Sequence, residues 1–262
     1  MLLGRLCARA ASRLPAPALA APRPAAMAAA AAADDDGPAP PPPPPRGAFI
    51  VFEGADRAGK STQVARLAAQ LTAAGVRAEA WRFPERSTAV GGMIDAYLKS
   101  AAELDDAAVH LLFSANRWER RAALLAALGS GTTLIVDRYA YSGVAFTAAK
   151  RAPGLGRAWC AASDVGLPAP DAVFFLDLAP EEAARRGGFG EERYETTAMQ
   201  AAVAEEFAAL RAGGGGAWRV FDAGQGVEAL AAEIAAAAAP VIAAAAAGAP
   251  LGRLWDGAPL EA

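Results

Sequence analysis

The stretch FIVFEGADRAGKSTQ, residues 49–63, decides the fold. With Ala48 before it, the stretch opens on the short apolar run AFIVFE, residues 48–53, which Gly54 ends. That pattern is a strand buried on both faces. Residues Gly54-Ala55-Asp56-Arg57-Ala58-Gly59-Lys60-Ser61 fit the spacing G-x-x-x-x-G-K-[ST] in full. Glycines let such a loop curl so that successive amides point inward, and the helix that follows aims its positive end at the same spot. The loop therefore reads as a phosphate cradle. Lys60 reaches β- and γ-phosphates, and the Ser61 hydroxyl is placed to ligate Mg2+.

Working outward, the spacing predicts a helix over 61–74 and a second strand over 77–83 stopped by Pro84. Apolar positions at helical spacing mark 104–128. Further strands are expected at 132–137, 171–178 and 218–223, with helices near 180–186, 195–211 and 227–238. Alternating helices and continuous apolar strands call for a P-loop NTPase-like α/β domain. It would have five parallel strands and helices on both faces. Asp137 closes the third strand, so its carboxylate is expected at the C-terminal edge of the sheet, where ligands of open α/β sheets bind. It is the candidate partner of Ser61 at the metal, and Arg138 follows it. Gly213 to Gly216 read as a turn before the last strand.

The 262 residues, 54% of them hydrophobic, suffice for one domain with a tail. The formal net charge of −3 gives no overall basic field, so no nucleic-acid partner is expected and any anion site must be local. The two cysteines, Cys7 and Cys160, suggest neither a disulfide framework nor a zinc site, and Cys160 reads as a buried thiol. His110 is the one histidine, which removes a multi-histidine metal site. Flanked by Val109 and Leu111, it reads as a packing or interface residue. No apolar run resembles a spanning helix, so no membrane partner is expected.

Residues 1–46 read as a disordered extension. Arg5, Arg9, Arg13 and Arg23 stand among leucines with no acid in the first 26 residues, which resembles an organelle transit peptide. The prolines at 40–45 suit an extended spacer. The full chain is thus expected in a mitochondrion or plastid, and a form starting at Met27 in the cytoplasm or nucleus. The folded domain is expected over 47–256, with 257–262 as a tail.

The base-reading signature Asn-Lys-x-Asp of GTPases is absent, which leaves a kinase or an ATPase. The acceptor is read from FPERST (83–88), FSANRWE (113–119), DRYAYSGVAFT (137–147), DVGLPAPD (164–171) and RRGGFGEERYE (185–195). In this order, together with the P-loop, they closely resemble thymidylate kinase over residues 47 to 255, down to PLGRLW near the end. Arg57 inside the P-loop resembles the eukaryotic type.

The resemblance implies a kinase that moves the γ-phosphate of ATP to dTMP. Arg86 and Arg117 would meet the dTMP phosphate, Phe113 would stack on thymine, and Phe83, Phe146 and Tyr194 would wall the pocket. Asp56 would lie near the 3′-hydroxyl, with Ser142, Gly143 and Arg138 packed around the nucleotide. On the donor side, the P-loop residues Arg57, Ala58, Gly59, Lys60, Ser61 and Thr62 would hold ATP, with Asp222, Ala223 and Gln225 beside adenine. Lys60, Arg57, Asp137, Arg138 and Arg186 would serve the transition state with Mg2+ at Ser61 and Asp137. A lid over about 180–196, hinged at Gly187, Gly188 and Gly190, would bring Arg186 and Arg193 over the phosphates. The resemblance also implies a homodimer through the 104–128 helix. The same residues allow a kinase for another pyrimidine nucleoside monophosphate, or a silent nucleotide-binding protein.

Overall fold

The computed structural model describes residues 45–186, 190, 192–213 and 218–256. The expected transit peptide, Met27, the proline run up to residue 44, Gly187, Gly188, most of the 213–216 turn and the 257–262 tail lie outside the described residues. Strands β1 (Phe49–Glu53), β2 (Ala78–Arg82), β3 (Thr133–Asp137), β4 (Ala172–Asp177) and β5 (Trp218–Asp222) form one sheet in the order β2-β3-β1-β4-β5, every pair parallel.

The sheet is central because its strands are apolar on both faces. In β1, Phe49 and Val51 pack on one side and Ile50 and Phe52 on the other, all fully buried. The first side is covered by α3 (Asp106–Gly129), α4 (Ala140–Ala148), α5 (Arg157–Ala162) and α7 (Thr197–Ala212). The second is covered by α1 (Lys60–Ala73), α6 (Pro180–Arg185) and α8 (Val227–Ala246). A smaller cluster of Ile94, Tyr97, Leu98 and Val109 joins α2 (Ala89–Leu98) to α3.

Four elements depart from the periodic reading. Helix α2 carries Gly91 and Gly92, which depress helix propensity, yet its cap and its packing override them. Thr88 accepts from the Gly91 amide, and Ile94, Tyr97 and Leu98 are buried. Gly91 is required by close approach, since a Cβ there would come within 1.8 Å of the Glu85 carbonyl oxygen. Helices α4 and α5 are too short to show a period. Helix α8 runs to Ala246 rather than stopping near 238, with Pro240 inside it. A proline there costs about 3 kcal/mol, and burial of Ala238, Val241 and Ala245 on both sides of it offsets that penalty. By length and a mean hydropathy of 1.9, α8 could also cross a membrane, but its Leu230 and Ile234 face the domain core.

Candidate active site

The parallel register sets the site. Phe52 pairs with Asp137 across β1 and β3, so the loop leaving β1 and the carboxylate ending β3 emerge side by side. The Ser61 hydroxyl donates to Asp137 Oδ2 at 2.5 Å. Gly59 takes φ 92 at the N-cap of α1 and Arg57 takes φ 62, the left-handed turns that curl the loop. Lys60 is folded back on its own loop, donating to the carbonyls of Gly54 at 3.2 Å and Ala55 at 2.6 Å. Burial pushes its ammonium down to about 8, with Arg138 adding to the shift and Asp137, Asp56 and Glu53 opposing it.

A cleft of about 720 Å³ lies over this loop, in the size range of nucleotide pockets. Asp56, Arg57, Ala58, Gly59, Lys60, Ser61, Thr62, Asp137, Arg138, Arg186, Ala223 and Gln225 line it. Arg186 donates to the carbonyls of Arg57 and Ala223, both at 2.8 Å, and so joins the P-loop to the loop after β5. Asp222 is not among the lining residues; its carboxylate accepts from the Gly224 amide and shapes the turn.

A second pocket adjoins the first. Asp56, Phe83, Arg86, Phe113, Arg117, Arg138, Ser142, Gly143, Phe146 and Tyr194 all line it, drawn from the P-loop, the β2–α2 loop, α3, β3–α4 and the segment before α7. Asp56, Arg82, Arg138 and Glu192 line both pockets and mark where they meet.

Four arginines here, Arg57, Arg86, Arg117 and Arg138, are held by carboxylates. Arg86 pairs with Asp95 and Glu192, both at 2.8 Å. Arg57 pairs with Glu195 at 2.9 Å. Arg138, at φ 67, pairs with Asp56 and lies over the Phe146 ring. Burial pushes the Asp56 carboxyl up, but Arg138, Lys60, the Gln200 amide and Arg57 outweigh it and hold it below its ordinary value. Arg117 is fully enclosed with Asp164, at 3.1 Å from Nε and 2.5 Å from Nη2. Its guanidinium lies so close to α4 that a Cβ on Gly143 would come within 2.8 Å of Nη2.

Arg193 goes elsewhere. It stacks 4.2 Å from the Tyr97 ring centroid and bonds the Tyr97 and Ala102 carbonyls and Glu103, so it fastens the lid root to α2 rather than facing the phosphates. The reason is local: Tyr97, at the end of α2, offers a π-face together with a carbonyl that accepts from Arg193 as well as from the Ser100 amide. His110 is buried, with Nδ1 2.9 Å from Thr147 Oγ1 and Nε2 2.9 Å from the Cys160 carbonyl oxygen, a packing position between helices. Cys160 is buried, and burial first among several causes pushes its thiol up to about 12.

Sequence reasoning missed the supporting residues. Gln200, on α7, accepts from the Asp56 amide at 2.9 Å and donates to Asp56 Oδ2 at 2.7 Å. Asp164, Glu192, Glu195 and Glu53 likewise act across long sequence separations. The capping spacing Thr196-x-x-Met199 locates the start of α7, but nothing local marks Gln200.

Residues 52–234 match the protein-family model of thymidylate kinase. The chain is 49% identical over 211 residues to a thymidylate kinase of Arabidopsis thaliana, covering 80% of this chain and 78% of that one. It is also 49% identical over 210 residues to a thymidylate kinase of Homo sapiens, covering 80% of this chain and 98% of the relative. The solved thymidylate kinase of Candida albicans superimposes with a TM-score of 0.68 at 33% identity, over 80% of this chain and 98% of that one.

Proposed function

The chain belongs to the thymidylate kinase family and phosphorylates dTMP, and on that premise we propose that MgATP in the P-loop cleft is its phosphoryl donor. The observation that carries the arrangement is the meeting of the two pockets at Asp56 and Arg138, which lets two phosphates approach end to end.

On this reading Lys60 leaves the Gly54 and Ala55 carbonyls for the β- and γ-phosphates. Arg57, Arg138 and Arg186 surround the transferring group. A dTMP phosphate is already an anion, so no general base is needed. Positioning and charge neutralisation carry the rate. Ser61 and Asp137 present two hard oxygens beside the start of α1, the donor type Mg2+ takes. Among the described residues no cluster of three ligating side chains exists, which suits an ion held largely by phosphates and water. Bound there, Mg2+ supplies positive charge against the β- and γ-phosphate oxygens. In the acceptor pocket Arg86 and Arg117 face the dTMP phosphate, and thymine stacks on Phe113, worth about 1–3 kcal/mol for such a contact. Phe83, Phe146 and Tyr194 enclose the nucleoside beside Ser142 and Gly143.

The test is a coupled assay of residues 47–262 with MgATP or MgGTP and dTMP, dUMP, UMP, CMP or AMP. The expected result is dTDP formed from dTMP with ATP as the better donor. Equal rates with GTP would overturn the donor assignment, and a faster reaction with another monophosphate would overturn the acceptor pocket. Leu111 and Trp118 are exposed apolar residues on α3, as are Trp159 on α5 and Val165 just after it. They support a homodimer through the 104–128 region, tested by light scattering of the parent and the Leu111→Glu variant. Delivery of the full chain to a mitochondrion or plastid, and of a Met27 form to the cytoplasm or nucleus, is tested by tagging both.

A further inference from the structure

Glu53 is the last residue of β1, one position before the P-loop glycine, and it is 0% exposed. It lines neither pocket. A buried carboxylate is strongly unfavourable unless its oxygens are satisfied, so its partners say what it is for. Oε1 accepts from the amides of Tyr139 at 2.9 Å and Ser142 at 3.0 Å. These are the N-terminal amides of α4, a helix whose own N-cap residue, Tyr139, supplies no side-chain cap. Glu53 caps α4 from another element.

Capping does not account for the second oxygen. Oε2 accepts the Ser142 hydroxyl at 2.5 Å. With that proton committed to Glu53, a lone pair of the Ser142 oxygen faces Arg138, which donates to it from Nη1 at 3.0 Å. The same Nη1 donates at 3.1 Å to the carbonyl of Gly54, the residue that follows Glu53 in the chain. The other guanidinium nitrogen is held by Asp56. Arg138 is thus gripped by a closed circuit that starts and ends at Glu53, by side chain through Ser142 and by main chain through Gly54 and Asp56.

We propose that Glu53 is a positioning residue for phosphoryl transfer, whose carboxylate, through the Ser142 hydroxyl, aims the Arg138 guanidinium at the point where the two pockets meet. The proposal rests on the reading of Arg138 given above. In Glu53→Gln the amide oxygen takes the two backbone donors, and the NH2 group is left facing the Ser142 hydroxyl. The serine proton must then turn away, and the oxygen receives donors from both Arg138 and the new NH2, so the hydroxyl orientation that aimed the guanidinium is lost. Misplacing a charge-bearing group by about 1 Å can lower a rate about 100-fold.

The test compares kcat, KM for each nucleotide and thermal stability in Glu53→Gln, Ser142→Ala and the double variant, with Arg138→Ala as reference. Glu53→Gln and Ser142→Ala should each lower kcat by about ten- to hundredfold, with KM for ATP within about twofold of the parent, and the double variant should be no slower than Glu53→Gln alone. A folded Glu53→Gln enzyme with parental kcat and only a lower melting temperature would reduce Glu53 to a cap and overturn the proposal. So would losses that multiply in the double variant. If Glu53→Gln does not fold, Glu53→Asp takes its place under the same criteria, since it keeps the charge and withdraws the carboxylate from Ser142. Parental activity in Arg138→Ala would instead refute the reading of Arg138, an outcome distinct from failure at Glu53 alone.

Discussion

The donor cleft and the acceptor pocket are built in opposite ways. The first is nearly contiguous: residues 54–61 supply glycine turns, inward amides, Lys60 and Ser61 within one strand-to-helix connection. The second is assembled from Arg86 after β2, Arg117 on α3, Arg138 after β3 and Tyr194 before α7. The contiguous half holds its shape by backbone conformation. The assembled half holds its shape by carboxylates reaching in from elsewhere, such as Asp164 to Arg117 and Glu192 to Arg86. Damage to the donor cleft should therefore appear first in chemistry, and damage to the acceptor pocket first in stability or in affinity for dTMP.

The sharpest break is Lys60→Ala. Loss of one preorganised charge-stabilising group lowers kcat by about 100- to 1,000-fold, and the variant should melt no lower than the parent because a buried ammonium has been removed. Steady-state kinetics beside thermal unfolding checks both. Next is Asp164→Ala, which leaves Arg117 enclosed without its counter-charge. Removing one member of a buried pair costs about 3–5 kcal/mol, read as a shift in a denaturant midpoint, while Asp164→Asn should lose less. A stable Asp164→Ala protein would show that the acceptor half does not depend on its buried acids.

Two smaller effects sharpen the contrast. With its pKa near 8 in the free protein, Lys60 is charged below that pH and increasingly neutral above it. Triphosphate beside it restores the charge, so ATP binding should take up protons increasingly as pH rises past about 8 and almost none near pH 6. Titration calorimetry in buffers of different ionisation enthalpy measures this, and Lys60→Ala should abolish it. Smallest of all, Glu192→Gln neutralises one of the two acidic partners, Asp95 being the other, that hold Arg86 where a dTMP phosphate would bind. For a half-exposed pair the gain is about two- to fivefold in dTMP affinity; weaker binding would mean that Glu192 assists the bound nucleotide.

The same contrast explains what was legible in the sequence. The P-loop, the five strands and Asp137 could be read because each is fixed by residues next to one another. The pocket residues could be placed only through the order of motifs, since a lone Phe113 or Arg117 carries no local signature. Asp164, Gln200 and Glu53 stayed hidden because a hydrogen bond across 47, 144 or 89 positions leaves no period in the chain. The position of Arg193 against Tyr97 is not legible either, because its neighbour Arg186 and the lid glycines suggest a shared task while its stacking partner Tyr97 lies far away in sequence. Helix α8 outran its expected end because burial outweighed Pro240.

Arg57, Arg86 and Arg138 each have an acidic partner within the chain. The cleft is thus an ion exchanger in its acid-loaded form: an incoming phosphate swaps one anion for another and adds little to the net field. What the protein senses is the difference between two anions, which favours a doubly charged monoester over chloride or a singly charged diester at the same concentration. Selectivity for a terminal phosphate is in this sense set before any base is read.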